Sequence, residues 1–244
     1  MARFWIGTSG WQYEHWRGIF YPETLAKAAW FGHYKRYFNT VEINNSFYRL
    51  PSRETWRRWH DAAGPNFRYA VKASRYLTHL KRLKDPEAPL QRFMEGAQTL
   101  GETLGPVLFQ TPPNFHRTAE NVRRLDGLLA LLRPGGRFVF EFRHPSWFGE
   151  ATFRQLRAGG AGFCIYDMPK VECPVAATAR FVYVRFHGTG TPYAGNYPDE
   201  TLQRWAERLS TLASDVDEVW AYFNNDIHGF AVANALTLKK LLGA

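Results

Sequence analysis

Three acidic or imidazole side chains stand where apolar runs of the sequence end, and their chemistry is that of proton transfer. Glu141 interrupts an otherwise apolar run, His187 directly follows another, and Asp226 comes shortly after the last one. A carboxylate or imidazole in such a place can act as a general acid or base when its surroundings tune its charge. We therefore predict that Glu141, His187 and Asp226 are the catalytic residues.

Structural roles would explain the same residues, and they remain open at this point. Side chains alternate along a strand, so Glu141 shares a face with Arg143, and Arg185 shares one with His187. A buried Glu141 needs a cation beside it, and either arginine could supply one as a structural ion pair. Asp226 could instead cap the N-terminus of the last helix.

The other candidates are polar, charged or aromatic side chains near the same run ends, and we predict that they bind substrate. They are Trp11, Glu42, Asn44, Tyr48, Lys72, Gln110, Arg143, Asp167, Arg185, Asn224 and Asn225. Arginine and lysine can hold phosphate, and aromatic rings can stack on bases or sugars, although rings also pack loops against a core. In parallel α/β barrels the last two loops often bind phosphate, which here are residues 187–191 and 224–229.

Metal ligands lack a recognisable local spacing in this chain. Glu42, Glu141, Asp167 and His187 could together surround a divalent ion, but neither H-x-x-x-H nor C-x-x-C occurs. We predict no metal ligand and leave the cofactor unknown.

His144 stands before Pro145 and Ser146, which resemble a helix start, so we expect it to position that helix. The histidines without strand-end context are interpreted mostly as surface or packing residues: His15, His33, His60, His79 and His116.

Composition narrows the class of protein. The chain has 244 residues, of which 45% are hydrophobic and 22% charged, which excludes intrinsic disorder. Its two cysteines fit a reducing compartment, and no apolar run approaches the roughly 20 residues of a membrane span, so we expect a cytoplasmic protein without a membrane partner. The net charge is +9, and residues 49–92 alone hold eleven basic and four acidic residues. That segment could attract polyanions or could be an ordinary solvated surface.

Eight short runs rich in β-branched and aromatic residues alternate with helical patterns and predict the fold. They are residues 3–8, 40–43, 67–72, 106–110, 138–142, 162–166, 181–186 and 218–223. Eight strand–helix units favour a (β/α)8 TIM-barrel-like α/β fold, and we predict one domain over residues 1–244. Only twelve residues, two of them proline, separate Asp167 from Arg180, so the sixth helix should be absent or reduced. In such a fold the candidate side chains would face one rim. An open doubly wound sheet is less favoured, because residues 7–11 lack the dinucleotide-binding glycine spacing.

These strand-end strings resemble the YecE-like family, known as domain of unknown function seventy-two. The resemblance covers nearly the whole chain in order and implies a TIM-barrel-like fold without an established activity. It is carried by GTSGW, FYP, TVEINNSFY, Lys72 with Thr78 and His79, FQTPP, EFRH, YVRFHG and YFNND.

Three functions fit the sequence. We favour an enzyme that hydrolyses a phosphate-bearing substrate, either a small molecule or nucleic acid, with no protein partner implied. A carbohydrate hydrolase or isomerase would use paired carboxylates with aromatic platforms. A non-catalytic nucleic-acid-binding protein would use the basic segment alone. Carboxylates saturated by arginines would count against the carbohydrate hypothesis.

Overall fold

The computed structural model describes residues 2–191 and 193–244 as an α/β fold with eight strands. The strands are β1 (Arg3–Thr8), β2 (Thr40–Ile43), β3 (Arg68–Lys72), β4 (Leu104–Gln110), β5 (Phe138–Glu141), β6 (Gly162–Asp167), β7 (Phe181–Phe186) and β8 (Glu218–Phe223). Their sheet order is β1-β8-β7-β6-β5-β4-β3-β2. The predicted (β/α)8 TIM-barrel-like fold class is therefore confirmed, and four strands have the predicted bounds.

Helices follow most of the strands. They are α1 (Trp30–Tyr34), α2 (Asn45–Tyr48), α3 (Arg53–Ala63), α4 (Glu87–Ala97), α5 (Ala119–Leu131), α6 (Glu150–Ala158), α7 (Asp199–Leu212) and α8 (Phe230–Leu241). Residues 168–180, all of them described, hold no helix, which confirms the predicted loss after β6. Across residues 2–191 and 193–244, no helix combines the length and apolar character that a membrane crossing requires.

The chain divides into two compact units. The first comprises Met1–Glu42, Tyr166–Glu172 and Arg180–Ala244, and the second comprises Ile43–Ile165 and Cys173–Ala179. The assignment of residues 1–244 to one domain stays a prediction.

In the first unit, β8 lies between β1 and β7 and pairs with both in parallel register. Trp5 and Trp220 are register partners, and their rings stack with centroids 4.8 Å apart. An isolated parallel bridge joins Ser9 to Glu42, so the end of β1 meets β2 at this pair. The register therefore places the polar ends of these strands side by side.

In the second unit, β4 pairs in parallel with β3 and β5. Local signals in the sequence mark helix ends in this unit. The Ser52 hydroxyl caps the start of α3, and the Thr118 hydroxyl caps the start of α5. Gly64 follows the last residue of α3 and has a φ of 76°. Gln110 and Glu141 are register partners at the ends of β4 and β5.

Gly7 tests how closely the backbone packs in the first unit. A Cβ at Gly7 would lie 2.3 Å from the carbonyl oxygen of Thr40, whereas a Cβ at Gly127 in α5 meets nothing within 4 Å. We expect Gly7→Ala to lower the free energy of unfolding by about 1–3 kcal/mol through overpacking. Gly127→Ala, the matched control, should raise it by about 0.5–1 kcal/mol because alanine favours a helix interior. Urea denaturation measures both, and a neutral Gly7→Ala would contradict the close approach.

Candidate functional site

Glu42 accepts four hydrogen bonds from three side chains of the first unit. Arg185 donates to it twice, from Nε to Oε2 at 2.9 Å and from Nη2 to Oε1 at 2.7 Å. The Tyr183 hydroxyl donates to Oε2 at 2.6 Å, and the Ser9 hydroxyl donates to Oε1 at 2.7 Å. Glu42 has no exposed surface, and Arg185 is 1% exposed. These four hydrogen bonds occupy the acceptor positions of the Glu42 carboxylate. Its contacts therefore suggest a structural role and not substrate binding.

The charge of Glu42 follows from the same contacts. Burial raises its pKa, but the Arg185 guanidinium and the hydrogen bonds from Arg185, Tyr183 and Ser9 outweigh burial, so the pKa lies below its ordinary 4.5. Burial, followed by the neighbouring Glu42 charge, raises the pKa of Tyr183 well above 10, so Tyr183 keeps its proton and donates it. We infer that Glu42 orients Arg185 and that neither is a base for substrate.

His187 lies directly against this pair. Arg185 Nη1 is 3.4 Å from His187 Nε2, and the side-chain amide of Asn224 is 3.3 Å from Nδ1. A guanidinium can only donate, so Nε2 accepts in its contact with Arg185. The Asn224 atom nearest Nδ1 is the amide nitrogen, which also donates, so a hydrogen bond from Nδ1–H to Asn224 requires the amide to turn its oxygen toward the ring. His187 is buried, and the Tyr193 ring packs edge-on against it at 5.3 Å. The predicted catalytic imidazole is thus enclosed by Arg185, Asn224 and a partly exposed tyrosine.

Asp226 is the most accessible of the predicted catalytic residues. Its side chain is 21% exposed, and Oδ2 lies 3.2 Å from His15 Nε2. Burial raises its pKa above the ordinary 3.8, against the lowering effects of its own backbone N–H and of His15. In the described chain Asp226 makes no side-chain capping bond, and Gly229 precedes α8, so the N-cap interpretation of Asp226 is wrong.

The predicted phosphate loops of the first unit use their polar groups internally. Gly188 N–H donates to the Tyr197 hydroxyl, and Thr189 N–H donates to the Ala194 carbonyl. The Asn225 amide donates to Gly195 O and to Asn234 Oδ1. These contacts give the loops a structural explanation that needs no anion.

Two further predicted binding residues of the first unit have protein partners. Asp167 accepts hydrogen bonds from the Tyr197 hydroxyl at 3.1 Å and from the Trp205 indole at 2.8 Å. Trp11 is 6% exposed, and its ring packs against Phe31 with centroids 5.2 Å apart. Both contacts are those of packing residues.

In the second unit Glu141 forms the ion pair that its strand parity suggested. Arg143 Nε donates to Glu141 Oε1, while the Cys164 thiol lies 3.8 Å from Oε2. Glu141 has no exposed surface, and the Arg143 side chain is 8% exposed. Gln110, its register partner, is half-buried. The predicted catalytic carboxylate is therefore paired in the way that its structural interpretation required.

Lys72 ends β3 and meets an aromatic neighbour. Its Nζ lies 4.2 Å from the Phe47 ring centroid, and the same ring meets the His79 ring edge-on at 4.9 Å. The Ser46 hydroxyl donates to the Lys72 carbonyl at 2.7 Å, which ties α2 to the end of β3. Phe47 thus brings the Lys72 ammonium and the His79 imidazole to one place.

The electrostatics of His79 are unusual for a half-buried histidine. Burial and, after it, the charges of Lys72, Arg75 and Arg143 together lower its pKa from the ordinary 6.5 to about 4, against the opposing effect of Glu141. The ring is therefore neutral at pH 7. We call Lys72, Arg75, His79 and Arg143 the His79 site.

The Thr78 hydroxyl sets the tautomer of the His79 ring. It donates to Ser74 O at 3.2 Å and lies 2.9 Å from His79 Nδ1. A hydroxyl that already donates is available as an acceptor for Nδ1–H. That arrangement leaves the lone pair on Nε2, which is the atom a base or nucleophile would use.

The backbone that carries His79 is irregular. Tyr76–Leu80 is one turn of π-helix, and Arg82, Leu83 and Asp85 follow with φ of 48°, 60° and 44°. π-Turns and left-handed non-glycine residues are rare because they cost free energy. They persist only where surrounding contacts hold them in place, and they are frequent at functional sites. The irregularity marks this segment independently of charge.

Two other predicted binding residues belong to the second unit. The Tyr48 side chain is 77% exposed and its ring meets Phe47 edge-on at 5.0 Å. Among the described residues, no hydrogen-bond partner reaches the buried Oδ1 of Asn44, which directly precedes α2. Its amide can rotate to present its NH2 group instead, a suitable donor for an anionic oxygen.

Metal-binding chemistry is not marked by the side chains. Within residues 2–191 and 193–244, no group of three or more His, Cys, Asp or Glu is placed to hold an ion.

His144 accepts a hydrogen bond from Ser146 N–H and so caps the short helix Pro145–Trp147, which confirms the structural role predicted for it.

Comparison with known families agrees with this fold. The family model described as Protein of unknown function DUF72 matches residues 5–244. The chain belongs to the DUF72 family. The resemblance seen in the strand-end strings is thereby confirmed, and the family description carries no reaction.

Three relatives of this DUF72 protein illustrate the range of similarity. UPF0759 protein YunF of Bacillus subtilis (strain 168) is 26% identical, over 97% of this chain and 94% of its own. UPF0759 protein YecE of Escherichia coli (strain K12) is 28% identical over 72% of each chain. The crystal structure of a DUF72 family protein (TM1631) from Thermotoga maritima MSB8 is 31% identical, with a TM-score of 0.91 over 99% of this chain and 100% of that one.

Sequence reasoning missed His79 and His15 because neither follows a strand directly. The signal for His79 was the family resemblance, since Lys72, Thr78 and His79 are among the residues that carry it. His15 offers no comparable signal, because its partner Asp226 is 211 residues away in the chain.

The Glu42–Arg185 pair predicts strong coupling. Removing one partner strands a buried charge, so Glu42→Gln and Arg185→Met should each cost about 3–5 kcal/mol of stability. The double variant should cost clearly less than their sum. A double-mutant cycle measured by urea denaturation tests this, with the exposed Arg180–Asp217 pair as the matched control of smaller coupling. Additive costs at Glu42 and Arg185 would contradict the assignment.

His79 predicts a pH dependence of stability. Its pKa is about 4 in the folded protein against an ordinary 6.5, so the unfolded chain takes up this proton first and stability falls as the pH drops from 6.5 to 4. After solvent screening at a half-buried position, the loss should be about 1–2 kcal/mol. His79→Gln should flatten that part of the urea-denaturation profile. His60→Gln, at an exposed ring of the same unit, should keep the wild-type profile, and equal profiles for both variants would refute the assignment.

Proposed function

We propose that this DUF72 protein hydrolyses phosphate esters and that the phosphate binds at the His79 site. One observation supports the proposal above the others: a neutral imidazole faces the charges of Lys72, Arg75 and Arg143. With Glu141 included, three positive side chains and one carboxylate leave a net charge of +2. A phosphate ester would be attracted to that charge, either as a monoester dianion or as a diester monoanion.

Each cation has a distinct role in this proposal. Arg143 is held by the buried Glu141 and so presents its guanidinium in a fixed orientation. Lys72 is restrained by the Phe47 ring and acts as a point charge. Arg75 is exposed and can close on a ligand from solvent. A phosphoryl group needs this kind of pre-organised positive charge, because its transition state spreads negative charge over the equatorial oxygens.

The chemical step assigns the base to His79. Nε2 accepts a proton from water as the water oxygen attacks phosphorus and the phosphorus–oxygen ester bond breaks. The leaving alkoxide takes a proton from the Lys72 ammonium or from solvent, and the imidazolium and lysine then re-equilibrate with water. The net reaction is ester plus water to phosphate plus alcohol.

The alternatives fit these contacts less well. Glycoside hydrolysis needs a carboxyl pair available to sugar and water, but Glu42 and Glu141 are each bound by an arginine and have no exposed surface. A nucleic-acid-binding protein without catalysis would use the same cations and is distinguished by the absence of turnover.

Hydrolysis of 4-nitrophenyl phosphate and bis(4-nitrophenyl) phosphate, with and without added divalent ions, tests the proposal. We expect His79→Gln to lower kcat about 100-fold or more, the usual contribution of a general base. We expect Lys72→Met mainly to raise KM. The kcat/KM of the wild type should fall as the pH drops through about 4, because the free ring becomes protonated there.

The matched control is His60→Gln, which should retain wild-type kcat and KM. A wild-type protein inert on both esters under all these conditions would overturn the proposal. Full activity in His79→Gln would instead show that another residue is the base.

A further inference from the structure

Resting on the proposed function, we infer that the natural substrate is a single-stranded nucleic acid whose base stacks on Tyr48 while its phosphate occupies the His79 site. The observation behind this inference is the exposure of Tyr48. The Tyr48 side chain is 77% exposed, so it contributes little to the core and leaves ring surface on which a ligand can stack.

The orientation of Tyr48 links it to the phosphate site. Its ring meets Phe47 edge-on at an interplanar angle of 89°, and the Phe47 ring also contacts Lys72 and His79. One aromatic residue therefore separates the exposed ring from the cations. A nucleotide has the matching arrangement, with a flat base joined to a charged phosphate through a sugar.

A strand longer than one nucleotide needs further cations, and α3 provides them. Arg53 and Arg57 are exposed and four residues apart, so they lie on one face of the helix. Arg53 is the fifth residue after Tyr48, a distance of at most about 17 Å along the chain. Residues 49–92 hold eleven basic and four acidic residues, which favours a polyanion over a single small anion.

Stacking distinguishes nucleic acid from an acidic protein segment. Carboxylates would be attracted to the same arginines, but they present no flat face to Tyr48. Duplex DNA offers its bases only at groove edges, so an isolated exposed ring favours unpaired bases.

Fluorescence anisotropy with a short fluorescein-labelled oligodeoxythymidylate tests the inference on the full chain. We expect Tyr48→Ala to weaken binding about 5- to 150-fold, the loss of one base stack, and Tyr48→Trp to restore it. Tyr37→Ala, which removes a tyrosine that is 39% exposed in the first unit, is the matched control and should bind as the wild type does. The double variant Arg53→Gln/Arg57→Gln should lower the salt slope of log Kd by about 1.4, or about 0.7 for each lost phosphate contact.

Three results would overturn the inference: wild-type binding by Tyr48→Ala, equal displacement of the oligonucleotide by polyglutamate, or equal affinity for thymidine monophosphate. Each assigns the surface to a different ligand. The titration requires no turnover, so its failure is distinguishable from failure of the proposed function. Ester hydrolysis without oligonucleotide binding would leave the hydrolase standing and remove only the nucleic acid.

Discussion

A carboxylate with no exposed surface must be paired with a cation, and the chemistry of this protein follows from how that requirement is met. Desolvation of an unpaired carboxylate costs several kcal/mol, whereas Arg185 with Ser9 and Tyr183 fills the acceptor positions of Glu42. These contacts offset the free-energy cost of burying Glu42, but they occupy the lone pairs with which a catalytic base would accept a proton. In the second unit Arg143 Nε donates to one oxygen of Glu141, and the Cys164 thiol lies 3.8 Å from the other. Both buried carboxylates are paired with arginines, as their structural interpretation requires.

The groups left for proton transfer are those whose pairing is incomplete. Asp226 and His15 are partly exposed and lie 3.2 Å apart, and burial raises the pKa of the Asp226 carboxyl above its ordinary value. His79 has the reverse surroundings, because Lys72, Arg75 and Arg143 disfavour its charged form. A neutral imidazole among cations retains its lone pair at pH 7 and attracts an anion at the same time. That combination singles out His79.

Strand positions could be predicted from the sequence because each strand is a short apolar run with distinct ends. β1, β2, β7 and β8 have the predicted bounds, and the prolines between β6 and β7 disfavour a helix after β6, where the structure has none. Parity also predicted that Glu141 and Arg143 would meet. The π-turn Tyr76–Leu80 could not be predicted, since it depends on tertiary contacts that hold Leu77 and Leu83 in the core and no local propensity encodes it. His79 was missed for that reason: its place is set by the turn, and its charge state by residues up to 64 positions away.

Burial and the neighbouring cations, which together keep His79 neutral, also make it a weak base before substrate binds. A pKa of about 4 leaves the ring poorly matched to proton abstraction at pH 7, where a base works best with a pKa near the working pH. A phosphate dianion bound by Lys72, Arg75 and Arg143 would offset their fields, and the ring pKa would rise toward its ordinary value. Substrate binding would therefore strengthen the base that acts on it. Burial of the ring, the largest cause of the shift, would remain and hold the pKa below 6.5, so the bound site would keep a neutral imidazole ready to accept a proton.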